Sequence, residues 1–274
     1  MFDTRHIQAA EYIDGDAFEN LRISGVTYVK TDEVRPLLES GSASGVLVTH
    51  NSDLGIDDGL AALAFGNNPN LAAWFGQNVR VRHPRLIPVP IGLERARWFP
   101  HLRKRDQLRE LAARSPEMPS KLCLANFSVS TNARERRACL DAASSFATLR
   151  AADTVCQDTP ESYGRYLTEI LEHKFVLCPE GNGVDTHRLW ETLYLGRIPV
   201  VTRSVVAEAF GELRSATLPM VILDSWADLS RSRLQTCWDD FRESRAPLCL
   251  SQLLMSFWRD RIASAAGHCQ ATRW

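Results

Sequence analysis

Short apolar runs alternate along this chain with segments in which apolar residues recur at helical spacing. The pattern is clearest between His173 and Thr202. Residues 175–178 form an apolar run of the length of a buried strand, and a loop with two glycines follows it. Residues 189–195 then predict the inner face of a helix, and residues 198–201 predict another strand. A strand, a helix and a strand in this order predict a βαβ unit with parallel strands and a right-handed crossover.

The rest of the chain shows the same alternation. Further strands are predicted at 26–29, 46–49, 86–93, 121–125, 146–149 and 218–223. Helices are predicted at 32–38, at 57–79 with a break at 67–70, at 101–114, at 205–213, and from residues 133 and 159 onward. Pro116 and Pro119 lie among polar residues and predict a linker. The sequence therefore predicts two α/β domains, residues 1–117 and 118–274.

Composition narrows the choice of partners and compartment. Basic and acidic side chains number 32 and 33, for a net charge of −1, so no bulk attraction to nucleic acid is expected. No apolar run reaches the ~18 residues that cross a bilayer, and the N-terminus is too polar for a signal peptide. We expect a cytoplasmic protein without an integral membrane segment, and peripheral membrane association stays open. The 7 cysteines lack a C-x-x-C pair and predict reduced thiols, with Cys123 and Cys178 in the core.

The loop before the central helix carries the candidate anion-binding groups. Gly181 and Gly183, on either side of Asn182, are expected to permit positive φ and to let a phosphate approach the backbone. Asp185 or Thr186 can cap the helix. Free N–H groups at a helix N-terminus and the positive end of its dipole favour a bound phosphate.

The first turns of this helix add charged side chains. His187 and Arg188 lie in the first turn, where Arg188 can clamp a diphosphate through parallel hydrogen bonds. Glu191 shares a helix face with Arg188, and its carboxylate can accept both hydroxyls of a ribose. These groups suit a nucleotide diphosphate sugar. The alternative is that Asp185 is only a cap and that Arg188 and Glu191 form a surface ion pair.

This stretch resembles a known family signature. It contains a strand, a P-x-G-x-G-type loop, an H-R pair, a W-E pair and G-x-I-P-V, in that order. The same succession ends the exostosin-like glycosyltransferases and their bacterial relatives. The resemblance implies that Arg188 contacts the donor diphosphate and Glu191 the ribose. Residues 46–98 and the run from Asn126 to Arg136 are also similar to the bacterial relatives.

Candidate residues also follow other predicted strands. His50 and Asp53 follow the strand at 46–49 and are candidates for a general base, although the same residue types also form turns. Asn126 and Arg136 follow the strand at 121–125 and form a candidate anion site, in which Arg136 is the preferred phosphate contact. Glu180 is the second candidate for a base or sugar contact.

One further motif has the form of a metal site. Asp14-Gly15-Asp16 matches the D-x-D pattern by which other glycosyltransferases hold a divalent cation. It precedes a predicted helix instead of ending a strand, so we interpret Asp16 as a helix cap and predict no metal site.

The resemblance implies the two-domain architecture called GT-B, in which two Rossmann-like domains with parallel sheets face each other across a cleft. The predicted enzyme is a metal-independent glycosyltransferase with no cofactor; inversion is favoured, and retention stays open. It would move a sugar from a nucleotide diphosphate, with UDP favoured, to a hydroxyl of a glycan or lipid-linked glycan, as in polysaccharide biosynthesis. The alternatives are a non-catalytic nucleotide- or glycan-binding module, and a nucleotide-sugar epimerase or hydrolase of the same fold.

Overall fold

The computed structural model describes residues 2–114, 118–150, 159–211, 218–244 and 248–271. It contains two parallel sheets with helices packed around them, so the predicted α/β class is confirmed. In the first half the strands lie in the order β1 (Val26–Lys30), β2 (Gly45–His50), β3 (Leu71–Gly76) and β4 (Leu86–Pro88). The helices of this half are α1 (Gly15–Glu19), α2 (Val34–Glu39) and α3 (Asp58–Asn67).

In the second sheet, the spatial order of the strands differs from their order along the chain. Its strands are β5 (Lys121–Asn126), β6 (Thr148–Arg150), β7 (His173–Leu177), β8 (Ile198–Thr202) and β9 (Val221–Leu223), in the spatial order β6-β5-β7-β8-β9. All neighbours are parallel, and β7 pairs with β8 as the central βαβ unit predicts. Parallel sheets bind ligands beyond the carboxyl ends of the strands where the order reverses, here between β5 and β7.

The helices of the second half pack around this sheet, except that the last helix packs on the first sheet. They are α4 (Lys104–Ala113), α5 (Ala133–Ala143), α6 (Pro160–Glu172), α7 (His187–Tyr194), α8 (Val205–Gly211), α9 (Arg231–Glu243) and α10 (Met255–Ala271). Helix α10 packs on β1, β2 and β3. A single apolar cluster therefore joins the two halves, with Val48 and Phe75 from the first sheet and Val176 and Trp190 from the second.

The prediction of helix over 57–79 is right for α3 and wrong for residues 71–76, which form β3. Leu71, Ala73, Trp74 and Phe75 are buried, and β3 lies between β2 and β4 with both faces covered. Such a strand shows no alternation of apolar and polar residues. Its alanines favour a helix locally, and tertiary packing overrides that preference.

The Asp-Gly-Asp motif is part of the fold of the first half. Asp14, not Asp16, caps α1, because its side chain accepts from the Ala17 N–H at 2.8 Å. Asp14 is fully buried against Arg105, and Asp16 accepts from Arg95 Nε at 2.8 Å. Both carboxylates are thus neutralised by arginines.

Two further predictions concern linkers and thiols. The predicted boundary lies in residues 115–117, outside the described residues. Cys123 and Cys178 are buried free thiols, as predicted, whereas Cys156 and the side chain of Cys269 lie outside the described residues. No helix in the described ranges is long and apolar enough to cross a membrane.

Candidate functional site

Two connected pockets lie where the carboxyl ends of the two sheets face each other. The small pocket, about 230 Å³, is lined by Arg136 of α5, Lys104 of α4, residues 181–183 and 185–188, and Glu191. The large pocket, about 650 Å³, is lined mainly by segments that follow β2, β3 and β4. Both pockets share four lining residues: Asp53, Ile91, Glu94 and His187. A ligand in one pocket can therefore meet a ligand in the other.

Two arginines lie close together in the small pocket. The guanidinium carbons of Arg136 and Arg188 each lie 5.6 Å from the ring centre of Phe127. Among the described residues, no carboxylate forms an ion pair with either of them. Burial, and then the charge of Arg188, lower the pKa of Arg136 to about 10. An anion bound between them would relieve this repulsion.

Two polar atoms at this pair of arginines have no hydrogen-bond partner among the described residues. Arg188 Nε and Thr186 Oγ1 are both buried without a hydrogen bond. Thr186 precedes the first residue of α7, and its hydroxyl does not cap the helix. Buried polar atoms are rarely left unpaired, so these atoms indicate where a polar ligand would bind. Together with the N-terminal N–H groups of α7, they form a candidate anion site.

The glycines of the loop do not adopt the predicted backbone conformation. Neither Gly181 nor Gly183 has a positive φ. A Cβ on Gly181 would lie 2.7 Å from Arg136 Nη2, and one on Gly183 would lie 2.5 Å from the side chain of Asn78. The glycines thus make room for protein side chains. Arg136 occupies this space while its Nε donates to the Glu180 carbonyl oxygen at 3.0 Å.

Glu191 is buried and does not form the surface ion pair that was one alternative. It is 3% exposed, and its two carboxylate oxygens accept from the hydroxyls of Tyr163 at 2.9 Å and Tyr166 at 2.8 Å. Burial and the charge of Glu191 hold the pKa of both tyrosines well above the usual range, so they remain donors. Each carboxylate oxygen keeps a second lone pair for another donor.

The three candidates for a catalytic base lie in different surroundings. Asp53 faces both pockets, and its Oδ2 accepts from Asn182 Nδ2 at 3.1 Å across the cleft. His50 lines the large pocket but is 1% exposed, its Nε2 donates to the Pro90 carbonyl oxygen at 3.0 Å, and burial lowers its pKa to about 4. Glu180 faces Arg80 at 3.5 Å and lines neither of these pockets.

The remaining candidate residues form hydrogen bonds within the protein. Asp185 is buried and accepts hydrogen bonds from backbone N–H groups and from Trp190. Asn126 donates from Nδ2 to Glu169 at 2.9 Å, and its buried Oδ1 has no hydrogen-bond partner in the described ranges. His187 donates from Nδ1 to the Gly92 carbonyl oxygen at 2.8 Å.

Sequence reasoning missed several residues that the fold brings to the cleft. Glu94 lines both pockets, and its Oε2 lies 3.5 Å from His187 Nε2. Glu94 follows the apolar run after β4, and this position is the only feature of the sequence that could have indicated a residue of the cleft. Lys104 lies in the helix predicted at 101–114, and Tyr163 and Tyr166 lie buried in the helix predicted from residue 159 onward. Nothing in the helical spacing indicated that their hydroxyls would hold Glu191.

In the part of the chain that the structure describes, no group of three or more His, Cys, Asp or Glu side chains is placed to hold a metal ion.

Paired α/β sheets, with two arginines at the strand-order reversal that lack a carboxylate partner among the described residues, fit a glycosyltransferase-like protein. A comparison with protein families agrees: residues 136–236 match the family model of the RXYLT1 C-terminal domain, an exostosin-like glycosyltransferase family. The matched region begins at Arg136 and includes the 181–188 loop, α7 and Glu191. No curated protein matches the chain. The match supports a glycosyltransferase-like family for the half that carries the small pocket.

Proposed function

We propose that this protein transfers a sugar from a nucleotide diphosphate, with UDP favoured, to a hydroxyl of a glycan acceptor. The proposal includes a metal-independent mechanism and inversion at the anomeric carbon. The observation that carries it is the pair formed by the buried Arg136 and the half-buried Arg188, which lack a carboxylate partner among the described residues and lie beside the α7 N-terminus. Their pocket opens directly onto the large pocket, where an acceptor would bind.

The small pocket would stabilise the leaving group. When the bond between the anomeric carbon and the phosphate oxygen breaks, its electron pair leaves with the nucleoside diphosphate. Arg188 Nε, Arg136 and the Thr186 hydroxyl would donate to the phosphate oxygens as negative charge develops there. Preorganised donors at the site of developing charge lower the barrier without moving during the reaction. Glu191, fixed by its two tyrosines, would accept a ribose hydroxyl.

Asp53 is the proposed base. It would take the proton of the acceptor hydroxyl as the oxygen attacks the anomeric carbon from the face opposite the diphosphate. The Asn182 amide holds one of its oxygens and leaves the other for the acceptor. Glu94 is the second candidate because it lines both pockets. We assign no proton transfer to His50 or Glu180, since the first is committed to Pro90 and the second lies outside both pockets.

A thermal-shift screen tests the donor site. UDP, GDP, dTDP, CMP and ADP are compared, each with and without EDTA. A ligand at a hundredfold excess over its Kd stabilises the protein by ~2.7 kcal/mol. We expect one diphosphate, with UDP favoured, to raise Tm equally in EDTA and to lose this effect in Arg188→Ala and Arg136→Ala. Arg137→Ala, an exposed arginine of the same helix as Arg136, is the matched control and should respond like wild type.

Turnover assays separate the enzyme from the alternatives. With the donor found above, Asp53→Asn should lose at least a hundredfold in kcat while its diphosphate-induced Tm shift is kept. Glu94→Gln with the larger loss would move the base to Glu94. Donor consumption without any acceptor would indicate a hydrolase or epimerase. Unchanged donor in the presence of a broad glycan panel, with the Tm shift intact, would favour the binding module.

A further inference from the structure

One tryptophan in the described part of the chain differs from the rest. Trp98 is 64% exposed, whereas every other described tryptophan is at most 4% exposed, namely Trp74, Trp190, Trp226, Trp238 and Trp258. Exposing an indole to water forgoes a large hydrophobic gain, so an isolated exposed tryptophan calls for an explanation. Trp98 also lines the large pocket. Its position at the cleft suggests that a ligand covers it.

The backbone that carries Trp98 is held firmly. The Trp98 N–H donates to the Arg95 carbonyl oxygen at 3.1 Å. Arg95 is 6% exposed and pairs with Asp16, and Arg97 Nη2 donates to Glu19 at 2.7 Å. These ion pairs hold the segment that precedes Trp98 against α1. A preorganised aromatic surface binds a ligand with a smaller entropic cost than a mobile one.

The charges of the large pocket balance. Its lining contains equal numbers of carboxylates and permanent cations: Glu19, Asp53 and Glu94, and Lys30, Arg95 and Arg97. His50 is neutral near pH 7, since its pKa is lowered to about 4. All three cations are already paired, Arg95 and Arg97 with carboxylates of α1 and Lys30 with Glu33, so an anionic ligand meets no unpaired cation here. Arg136 and Arg188 of the small pocket, by contrast, have no carboxylate partner among the described residues. An uncharged ligand fits this balance better.

The other lining groups suit hydroxyls. Asn51, Ser52 and Gln77 add neutral polar side chains, and the pocket volume of about 650 Å³ lies within the range of small-ligand sites, roughly 300–1,000 Å³. A pyranose ring has one face of C–H groups and a rim of hydroxyls. It would place its apolar face on an indole and its rim against polar side chains.

We propose that the large pocket binds an uncharged sugar residue at the acceptor terminus, stacked on the face of Trp98. The bound ring lies between the indole and Asp53, so that one hydroxyl meets the carboxylate where the two pockets join. This inference rests on the proposed transferase for its direction of transfer. The sugar site itself stands on the exposed indole and the charge balance, without the donor site.

Fluorescence tests the site directly. In a Trp274→Phe background, which removes the tryptophan outside the described residues, Trp98 is the main target for acrylamide quenching. Neutral disaccharides such as cellobiose, maltose, lactose and xylobiose are screened. We expect at least one of them to reduce that quenching. Trp98→Phe in the same background should abolish the protection. Methyl glucuronide and methyl galacturonide should protect at least tenfold less well than the matching neutral methyl glycosides.

Kinetics supply a second readout. With the best glycoside acceptor, Trp98→Ala should raise the acceptor KM at least tenfold and change kcat less than threefold, while Trp98→Tyr keeps most of the affinity. The UDP-induced Tm shift should stay unchanged in both. Met118→Ala, which removes another exposed apolar side chain outside both pockets, is the control and should behave like wild type.

Three results would overturn the inference. An acceptor KM of Trp98→Ala equal to that of wild type, with the UDP shift intact, would remove the stacking role and leave the donor site standing. Octyl glycosides binding far better than methyl glycosides, whatever the sugar, would make Trp98 an anchor for lipid. Uronosides binding as well as neutral glycosides would refute the charge argument. If UDP fails to shift Tm but disaccharide protection remains, the donor proposal falls and the sugar site stands.

Discussion

Asp185 Oδ2 accepts a hydrogen bond from the backbone N–H of Ile91 at 2.7 Å and thereby joins the loop after β7 to the segment after β4. Its Oδ1 accepts from the Thr186 N–H at 2.8 Å, and Trp190 Nε1 lies 2.9 Å from both oxygens. Burial raises the pKa of Asp185 to about 6. This one carboxylate fixes the α7 N-terminus to the opposite wall of the cleft.

Removing this carboxylate should weaken both the fold and the donor site. Asp185→Ala leaves buried N–H groups of Ile91, Thr186 and Trp190 without acceptors, at ~1–3 kcal/mol for each group left unsatisfied. We expect a loss of at least about 3 kcal/mol in the free energy of unfolding, and a smaller loss for Asp185→Asn, which keeps one acceptor oxygen. Urea denaturation measures it, with the exposed Asp141→Ala as control. Equal stability of Asp185→Ala and wild type would contradict the contact.

The tyrosine pair that holds Glu191 should show coupled effects. Tyr163→Phe and Tyr166→Phe each remove one donor from a buried carboxylate and should each destabilise the protein by about 1–3 kcal/mol. Because both act on the same group, the double variant should depart from the sum of the single ones by more than about 0.5 kcal/mol. Denaturation of all four proteins completes the cycle. Strict additivity would mean that the tyrosines do not share Glu191.

His50 should make stability depend on pH. Its pKa falls from an ordinary 6.5 to about 4 in the folded protein, so the unfolded chain binds a proton more readily. The contribution of the neutral His50 side chain to the free energy of unfolding is fully present above pH 6.5. It is lost as pH falls toward 4, by on the order of 3 kcal/mol. Asp185 shifts in the opposite sense over much of this window, so wild type must be compared with His50→Gln at each pH. The stability difference between the two should shrink below pH 6.5, and a constant difference would refute the burial of a neutral imidazole.

Two glycines with different surroundings should respond oppositely to alanine. Gly183→Ala would place a Cβ 2.5 Å from the side chain of the buried Asn78, which donates from Nδ2 to the Ser52 carbonyl oxygen at 3.1 Å. We expect a destabilisation of about 1–3 kcal/mol together with weaker UDP binding. Gly66 lies in α3 with no atom within 4 Å of an added Cβ, so Gly66→Ala should stabilise by about 0.5–1 kcal/mol. Calorimetry distinguishes them, and a harmless Gly183→Ala would show that the loop does not dock on Asn78.

Local patterns were sufficient for most elements of the second half. The βαβ unit of β7, α7 and β8 follows from an apolar run, a glycine loop and helical spacing, which depend only on neighbours in the chain. The Thr159 cap of α6 and the start of α5 after Asn132 follow from local chemistry as well. Residues 71–76 could not be assigned this way, because a strand covered on both faces resembles a helix in its composition.

The sequence by itself determined which residues are candidates for donor binding, since Arg136, Arg188 and Glu191 stand in a recognisable order and spacing. Only the tertiary structure decided what each one contacts. Glu191 meets tyrosines from another helix, and Glu180 faces Arg80 from the other half of the chain. The reason is physical: hydrogen bonds and burial act over a few ångströms in space, and residues far apart in sequence come that close only when the two sheets pack together.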